Sequence, residues 1–64
     1  MNGKVKLINA EKGFGFIVGA DGKEYFFHRS ALKNTQLEEL QKGQEVEFED
    51  SESSKGLRAE DVYI

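Results

Sequence analysis

The 64-residue sequence has no cysteine, no proline and no tryptophan, and it has a single histidine. Without cysteine there is neither a disulfide nor a thiolate metal site. One histidine leaves no ligand constellation for zinc, so no metal and no cofactor is expected. No uninterrupted apolar run exceeds three residues, which leaves no membrane span. The opening residues lack the apolar stretch of a signal peptide, so the cytoplasm is the expected compartment. Leu, Ile, Val and Phe nonetheless account for 17 of the 64 residues, enough for a folded chain. Residues 1–64 are expected to form one small domain of marginal stability, because a chain this short buries only about 60% of its unfolded surface.

Catalytic patterns are also missing. Gly13-x-Gly15 is followed by Val18 where a dinucleotide fingerprint needs a third glycine, and Gly22-Lys23 is followed by Glu24 rather than Ser or Thr. His28 and Ser30 stand two apart with no third partner. No enzymatic activity is expected.

The formal net charge is −3, but it is unevenly distributed. Residues 1–33 carry six basic and three acidic side chains, a net of +3, and residues 34–64 carry three basic and nine acidic, a net of −6. An acidic protein of this kind can still present a locally positive face to nucleic acid.

The hydrophobic pattern is that of strands. Strands are predicted over residues 4–9, 13–19, 24–29, 44–50 and 57–63. In the first, Val5 and Ile8 are expected inward, and the adjacent Leu7 and Ile8 break the alternation, which predicts a bend or bulge. Asp21-Gly22 is a hairpin turn signal between the second and third strands. In the fourth, Val46 and Phe48 point in and Glu45, Glu47 and Glu49 point out. In the fifth, Ala59 and Val62 are core candidates. Residues 51–56 read as a flexible loop. Thr35-Gln36-Leu37-Glu38 has the capping-box pattern, and Gly43 is a possible stop, but two turns predict at most a short helical turn within a long loop. Five short strands in so short a chain suggest a small closed or nearly closed barrel, which leaves few strand edges unpaired.

Aromatic residues are concentrated in the second and third strands. Pleating separates Ile17, Tyr25 and Phe27, which can fill the interior, from Phe14, Phe16, Phe26 and His28, which then point outward together. Exposed phenylalanines side by side need a reason, and flat rings at strand spacing make a stacking platform for unpaired bases. Lys6, Lys12 and Arg29 lie around the platform in sequence and are candidates for phosphate contact. Arg29 has the parity of the core set, but at a strand end it is expected to swing outward. Gly13 and Gly15 are read as allowing close approach of a base to the backbone. Lys55 and Arg58 are placed near the platform edge. The glutamates of the fourth strand are read as a solvated face.

Two of these segments carry a family resemblance. Lys12-Gly13-Phe14-Gly15-Phe16-Ile17 resembles the first nucleic-acid motif of the cold-shock domain, and Phe26-Phe27-His28-Arg29-Ser30-Ala31-Leu32 resembles the second. Gly3-Lys4-Val5-Lys6, Asn9-Ala10-Glu11, Gly43-Gln44-x-Val46-x-Phe48-Glu49 and Lys55-Gly56 extend the match along the whole chain. The resemblance implies an all-β, five-stranded antiparallel OB-fold barrel. It also implies low-specificity binding of single-stranded RNA and single-stranded DNA, by a chaperone that melts RNA structure and influences transcription or translation. The implied interface comprises Lys6, Leu7, Lys12, Phe14, Phe16, Phe26, His28 and Arg29, with weaker roles for Asn9, Leu37 and Lys55. This chain departs from the family where base-facing aromatics usually stand, at Leu7, Arg29 and Leu37. It departs also at Ile8, where an aromatic is usual, and at Leu57, where proline is usual. Stacking is worth roughly 1–3 kcal/mol per base, so weaker and more salt-sensitive binding is expected. The Arg29 guanidinium offers a partial substitute, since it can stack on a base and attract phosphate. A monomer is expected, with a modest preference for pyrimidine-rich strands. The competing reading is a cold-shock-like fold with weakened nucleic-acid binding, used as a protein-interaction module.

Overall fold

A computed structural model describes all residues from Met1 to Ile64. Five strands follow one another along the chain: β1 (Asn2–Asn9), β2 (Phe14–Gly19), β3 (Glu24–His28), β4 (Glu45–Ser53) and β5 (Gly56–Tyr63). They close into a barrel in the order β1-β2-β3-β5-β4, the five-stranded architecture of an OB-fold. The β1–β2, β2–β3, β4–β5 and β1–β4 pairs are antiparallel. Closure between β3 and β5 is parallel, through Phe26 opposite Arg58. The only helical structure is two 3₁₀ turns, Arg29–Ala31 and Leu37–Glu39, both in the connection between β3 and β4.

The strand alternation sorts the side chains as period-2 pleating requires. Ile17 and Phe27 are completely buried, and Val5, Tyr25, Val46, Phe48, Ala59 and Val62 join them in the core. Glu45, Glu47 and Glu49 face solvent. Two pairs of inward residues, Val5 with Ile8 and Ala59 with Val62, are three apart rather than two. A bulge explains each. The β1 register shifts between Val5 and Leu7, inserting Lys6, so that Leu7 turns outward and Ile8 packs against the core half-buried. In β5 the register shifts opposite Glu47 and Glu49, and Asp61 takes a left-handed φ of 50°. Each extra residue flips the following side chains to the other face.

Three expectations are corrected here. Residues 51–56 are not a loop: β4 continues to Ser53 and β5 begins at Gly56, with a two-residue turn at Ser54-Lys55. The Ser53 hydroxyl donates to Gly56 O and accepts from Lys55 N, which anchors that hairpin. The capping box does not form, because the second 3₁₀ turn starts from Gln36 with no side-chain cap. What holds the turn is packing, since Leu37 and Leu40 both insert into the core. The third concerns Gly15. It is buried, and a Cβ there would lie 2.5 Å from Leu7 O and 2.6 Å from the Phe27 ring. It serves barrel packing on the inner side, not the approach of a base from outside.

Candidate nucleic-acid interface

The outward residues of β2 and β3 meet across the sheet. Phe14 lies opposite His28 and Phe16 opposite Phe26. The β1 pairing adds Leu7 beside Phe16 and Asn9 beside Phe14. The parallel β3–β5 bridge adds Arg58 beside Phe26. Two rows result: Leu7, Phe16, Phe26 and Arg58 across four strands, and Asn9, Phe14 and His28 across three.

Phe14, Phe16 and Phe26 form a compact triangle with ring centroids 5.5–6.1 Å apart. Two of the contacts are edge-on, the geometry favoured by the aromatic quadrupole. Mutual packing explains why these rings are half-buried although they lie outside the barrel. Phe26 is the hub, because Phe14, Phe16 and the Arg58 guanidinium all approach it, the last at 5.5 Å from the ring centroid. A cation over a phenyl face is attracted by its quadrupole.

His28 is half-buried and caps the first 3₁₀ turn. Its Nδ1 accepts from Ser30 N at 3.1 Å and lies 2.9 Å from Ser30 Oγ. A ring nitrogen that accepts a backbone N–H carries no proton, so the neutral ring bears its hydrogen on Nε2. The local turn thus orients the imidazole and leaves Nε2–H as a donor.

Arg29 is exposed, as its place at a strand end predicted. Its backbone N donates to Gly13 O at 2.9 Å, and its side chain runs over Gly13. Gly13 has a φ of +77°, and a Cβ there would meet Arg29 Cδ at 3.1 Å, so both the turn and the path of the arginine call for glycine. Arg29 and Arg58 are the only arginines in the chain, and they flank the phenylalanine triangle. Neither is in a salt bridge.

The remaining candidates are less uniform. Lys12 is exposed in the turn before β2. Lys6, on the β1 bulge, is in an exposed ion pair with Glu24. Leu7 is 44% exposed and forms an apolar side wall to Phe16. Asn9 turns its Oδ1 to Lys12 N at 3.1 Å, so its side chain chiefly shapes the β1–β2 turn. Lys55 is exposed at the tip of the β4–β5 hairpin, three residues before Arg58. Leu37 is a correction: it is only 3% exposed and belongs to the core, so the structure removes it from the interface. An apolar residue three before Leu40 at a turn was the available signal, and it pointed to packing. Arg58 carries more of the face than its sequence position suggested. Its place beside Phe26 depends on a parallel pairing between strands distant in the chain.

No group of acidic, histidine or cysteine side chains is arranged to hold a metal ion. No helix is long and apolar enough to cross a membrane.

Comparison with known proteins identifies the family. Residues 1–64 match the family model of the cold-shock DNA-binding domain. The chain is 44% identical to cold shock protein 1 of Lactiplantibacillus plantarum over 61 residues, covering 95% of this chain and 92% of that protein. It is 46% identical to cold shock protein CspD of Bacillus subtilis, again over 61 residues, with 95% and 92% covered. It is 41% identical to the major cold shock protein CspA of Pseudomonas aeruginosa over 63 residues, covering 98% of this chain and 91% of that one. With a family match over its full length and relatives this similar along nearly all of theirs, the chain belongs to the cold-shock domain family.

Proposed function

We propose that this protein binds single-stranded RNA and single-stranded DNA with low sequence specificity, as a chaperone that influences transcription or translation. The observation that carries the reading is the triangle of Phe14, Phe16 and Phe26 on the outer face of the barrel, flanked by the chain's two arginines. Bases stack on Phe14 and Phe16, with Phe26 behind them and Leu7 at the side. His28 adds a ring and an Nε2–H donor. Lys12 and Arg29 meet phosphates, and Lys6 joins them by leaving Glu24. An exposed ion pair is worth little, roughly 0–1 kcal/mol, so the exchange is cheap. Asn9 and Lys55 are peripheral. We read residues 1–64 as one domain acting as a monomer in the cytoplasm.

The chaperone action requires no catalytic group. A protein that binds only unpaired strands shifts a melting equilibrium towards them by mass action. Duplex is a poor ligand because its bases already stack on one another.

The test is the anisotropy of a labelled oligo-dT titrated with the protein at low and moderate salt, beside a matched duplex. Saturable binding that favours the single strand and weakens with salt is the expected result. Absence of binding even at low salt overturns the reading and leaves the exposed Leu7 and phenylalanines as a protein-docking surface.

A further inference from the structure

Arg58 occupies a particular place on this face. It is fixed from below, because β5 pairs with β3 at this one residue, Phe26 opposite Arg58. It is fixed from the side, because its guanidinium lies over the Phe26 ring at 5.5 Å from the centroid. No carboxylate engages it, although Glu60 and Asp61 follow closely in sequence, and the ion pairs of the molecule are Lys6–Glu24 and Lys33–Asp61. A long cationic side chain on a strand normally samples many rotamers in solvent. Here an aromatic contact orients it and leaves its N–H groups without a protein partner.

The Phe14 ring gives that orientation a consequence, because it lies 5.5 Å from Phe26 and only 32° from parallel with it. A base stacked flat on Phe14 is therefore close to parallel with a guanidinium stacked on Phe26, whereas a base on Phe16 is nearly perpendicular to it, those two rings standing at 73°. Beside the base on Phe14, Arg58 presents a planar fork of N–H donors. We propose that Arg58 reads the edge of the base stacked beside it and confers a preference for guanine at one position of the bound strand. Guanine presents two adjacent acceptors, O6 and N7, which match two parallel guanidinium donors. Adenine presents N7 beside an N6 amino donor, which opposes one arm of the fork. Thymine and uracil offer the single O4, and cytosine presents an amino donor. Arg29 lacks this role because it runs over the backbone of Gly13 rather than a ring, beside the turn that carries Lys12. The inference rests on the proposed single-strand binding and adds a specificity to it. The strand read best is a pyrimidine tract interrupted by one guanine.

The experiment uses labelled heptathymidine and two further sets of heptamers. In one set each thymidine in turn is replaced by guanosine, and in the other by adenosine. Affinities are measured by anisotropy at fixed salt for the native protein and for Arg58→Lys, which keeps the charge and loses the fork. At least one guanosine heptamer is expected to bind roughly tenfold more tightly than heptathymidine to the native protein. The adenosine counterpart should show no such gain, which separates edge recognition from the stronger stacking of any purine. In Arg58→Lys the guanosine advantage should disappear, and a circular dichroism spectrum should show the same barrel. Three results overturn the proposal: no guanosine gain, an equal gain with adenosine, or a gain that survives Arg58→Lys. If heptathymidine binds and guanosine adds nothing, this inference fails and single-strand binding stands. If no oligonucleotide binds, both fail.

Discussion

Single residues divide cleanly between those that hold the barrel and those that face outward, and substitutions should divide likewise. Phe14 packs on Phe16 and Phe26 but contributes nothing to the interior. Phe14→Ala is expected to cost more than about 1 kcal/mol of oligonucleotide binding while the barrel stays folded, which titration and circular dichroism together can check. Leu37 is the converse. It is buried beside Leu40, so Leu37→Ala should cost about 2–5 kcal/mol of stability in urea denaturation, with little loss of affinity in whatever protein remains folded. The Tyr25–Asp21 pair sets a pH dependence. Tyr25 Oη donates to Asp21 Oδ2 at 2.6 Å. That hydrogen bond, followed by one from Lys23 N, holds the Asp21 carboxyl below its ordinary value. The same bond, with desolvation and the nearby carboxylate charge, pushes the Tyr25 phenol up from 10.0 to about 12. A carboxyl lowered by folding stabilises above its ordinary range and ceases to do so as pH falls through the lowered value. A phenol raised by folding stabilises fully below its ordinary value, and that contribution is lost as pH rises towards 12. Tyr25→Phe should therefore lower stability at neutral pH and flatten its decline at both extremes, as measured by denaturation midpoints at about pH 3, 7 and 11.

At the scale of elements, the strands are set by alternation and re-aimed by bulges. Lys6 in β1 and Asp61 in β5 each add one residue, and each lets two core side chains stand three apart in sequence. The first was legible because Leu7 and Ile8 are adjacent apolars. The second was not, since Ala59 and Val62 do not by themselves distinguish a bulge from a helical spacing. The β1–β2 pair is the element on which the site depends most, because it aligns Leu7 with Phe16 and Asn9 with Phe14. Gly15 makes that pairing possible by leaving room between Leu7 O and the Phe27 ring. Gly15→Ala forces Cβ into backbone and a packed ring, an overpacking that typically costs about 1–3 kcal/mol. A lowered thermal midpoint is the expected readout, with affinity reduced through loss of the platform's register. The β4–β5 hairpin was missed because Ser-Glu-Ser-Ser-Lys-Gly has the composition of a loop. Pairing from Ser53↔Gly56 back to Glu47↔Tyr63 keeps it ordered as strand, a tertiary override of local propensity.

Over the whole molecule, barrel closure decides where the charges lie. The acidic residues Glu45, Glu47 and Glu49 line the outside of β4, whereas Lys12 and Arg29 belong to the β1–β2 and β3 ends that border the phenylalanines. A net charge of −3 is thus compatible with a positive binding face. If Lys6, Lys12 and Arg29 each neutralise one phosphate, the logarithm of the binding constant should fall against the logarithm of salt with a slope of roughly −2 for a single strand. A slope near zero would mean that apolar contact alone drives association and would favour a protein partner.

The sequence by itself determined which residues alternate inward and outward on β2 and β3, and with that the identity of Phe14, Phe16, Phe26 and His28 as one outer set. It could do so because pleating is a local, period-2 property of the backbone. It also carried the family motifs, since these lie within contiguous segments. The tertiary structure alone decided the fate of Leu37 and the place of Arg58. Whether Leu37 faces a base or the core depends on how the β3–β4 connection folds back against the barrel. Whether Arg58 reaches a ring depends on β5 lying parallel to β3, although the two paired residues are separated by most of the second half of the chain. Contacts between distant segments arise only on closure, and no local pattern in either segment encodes them.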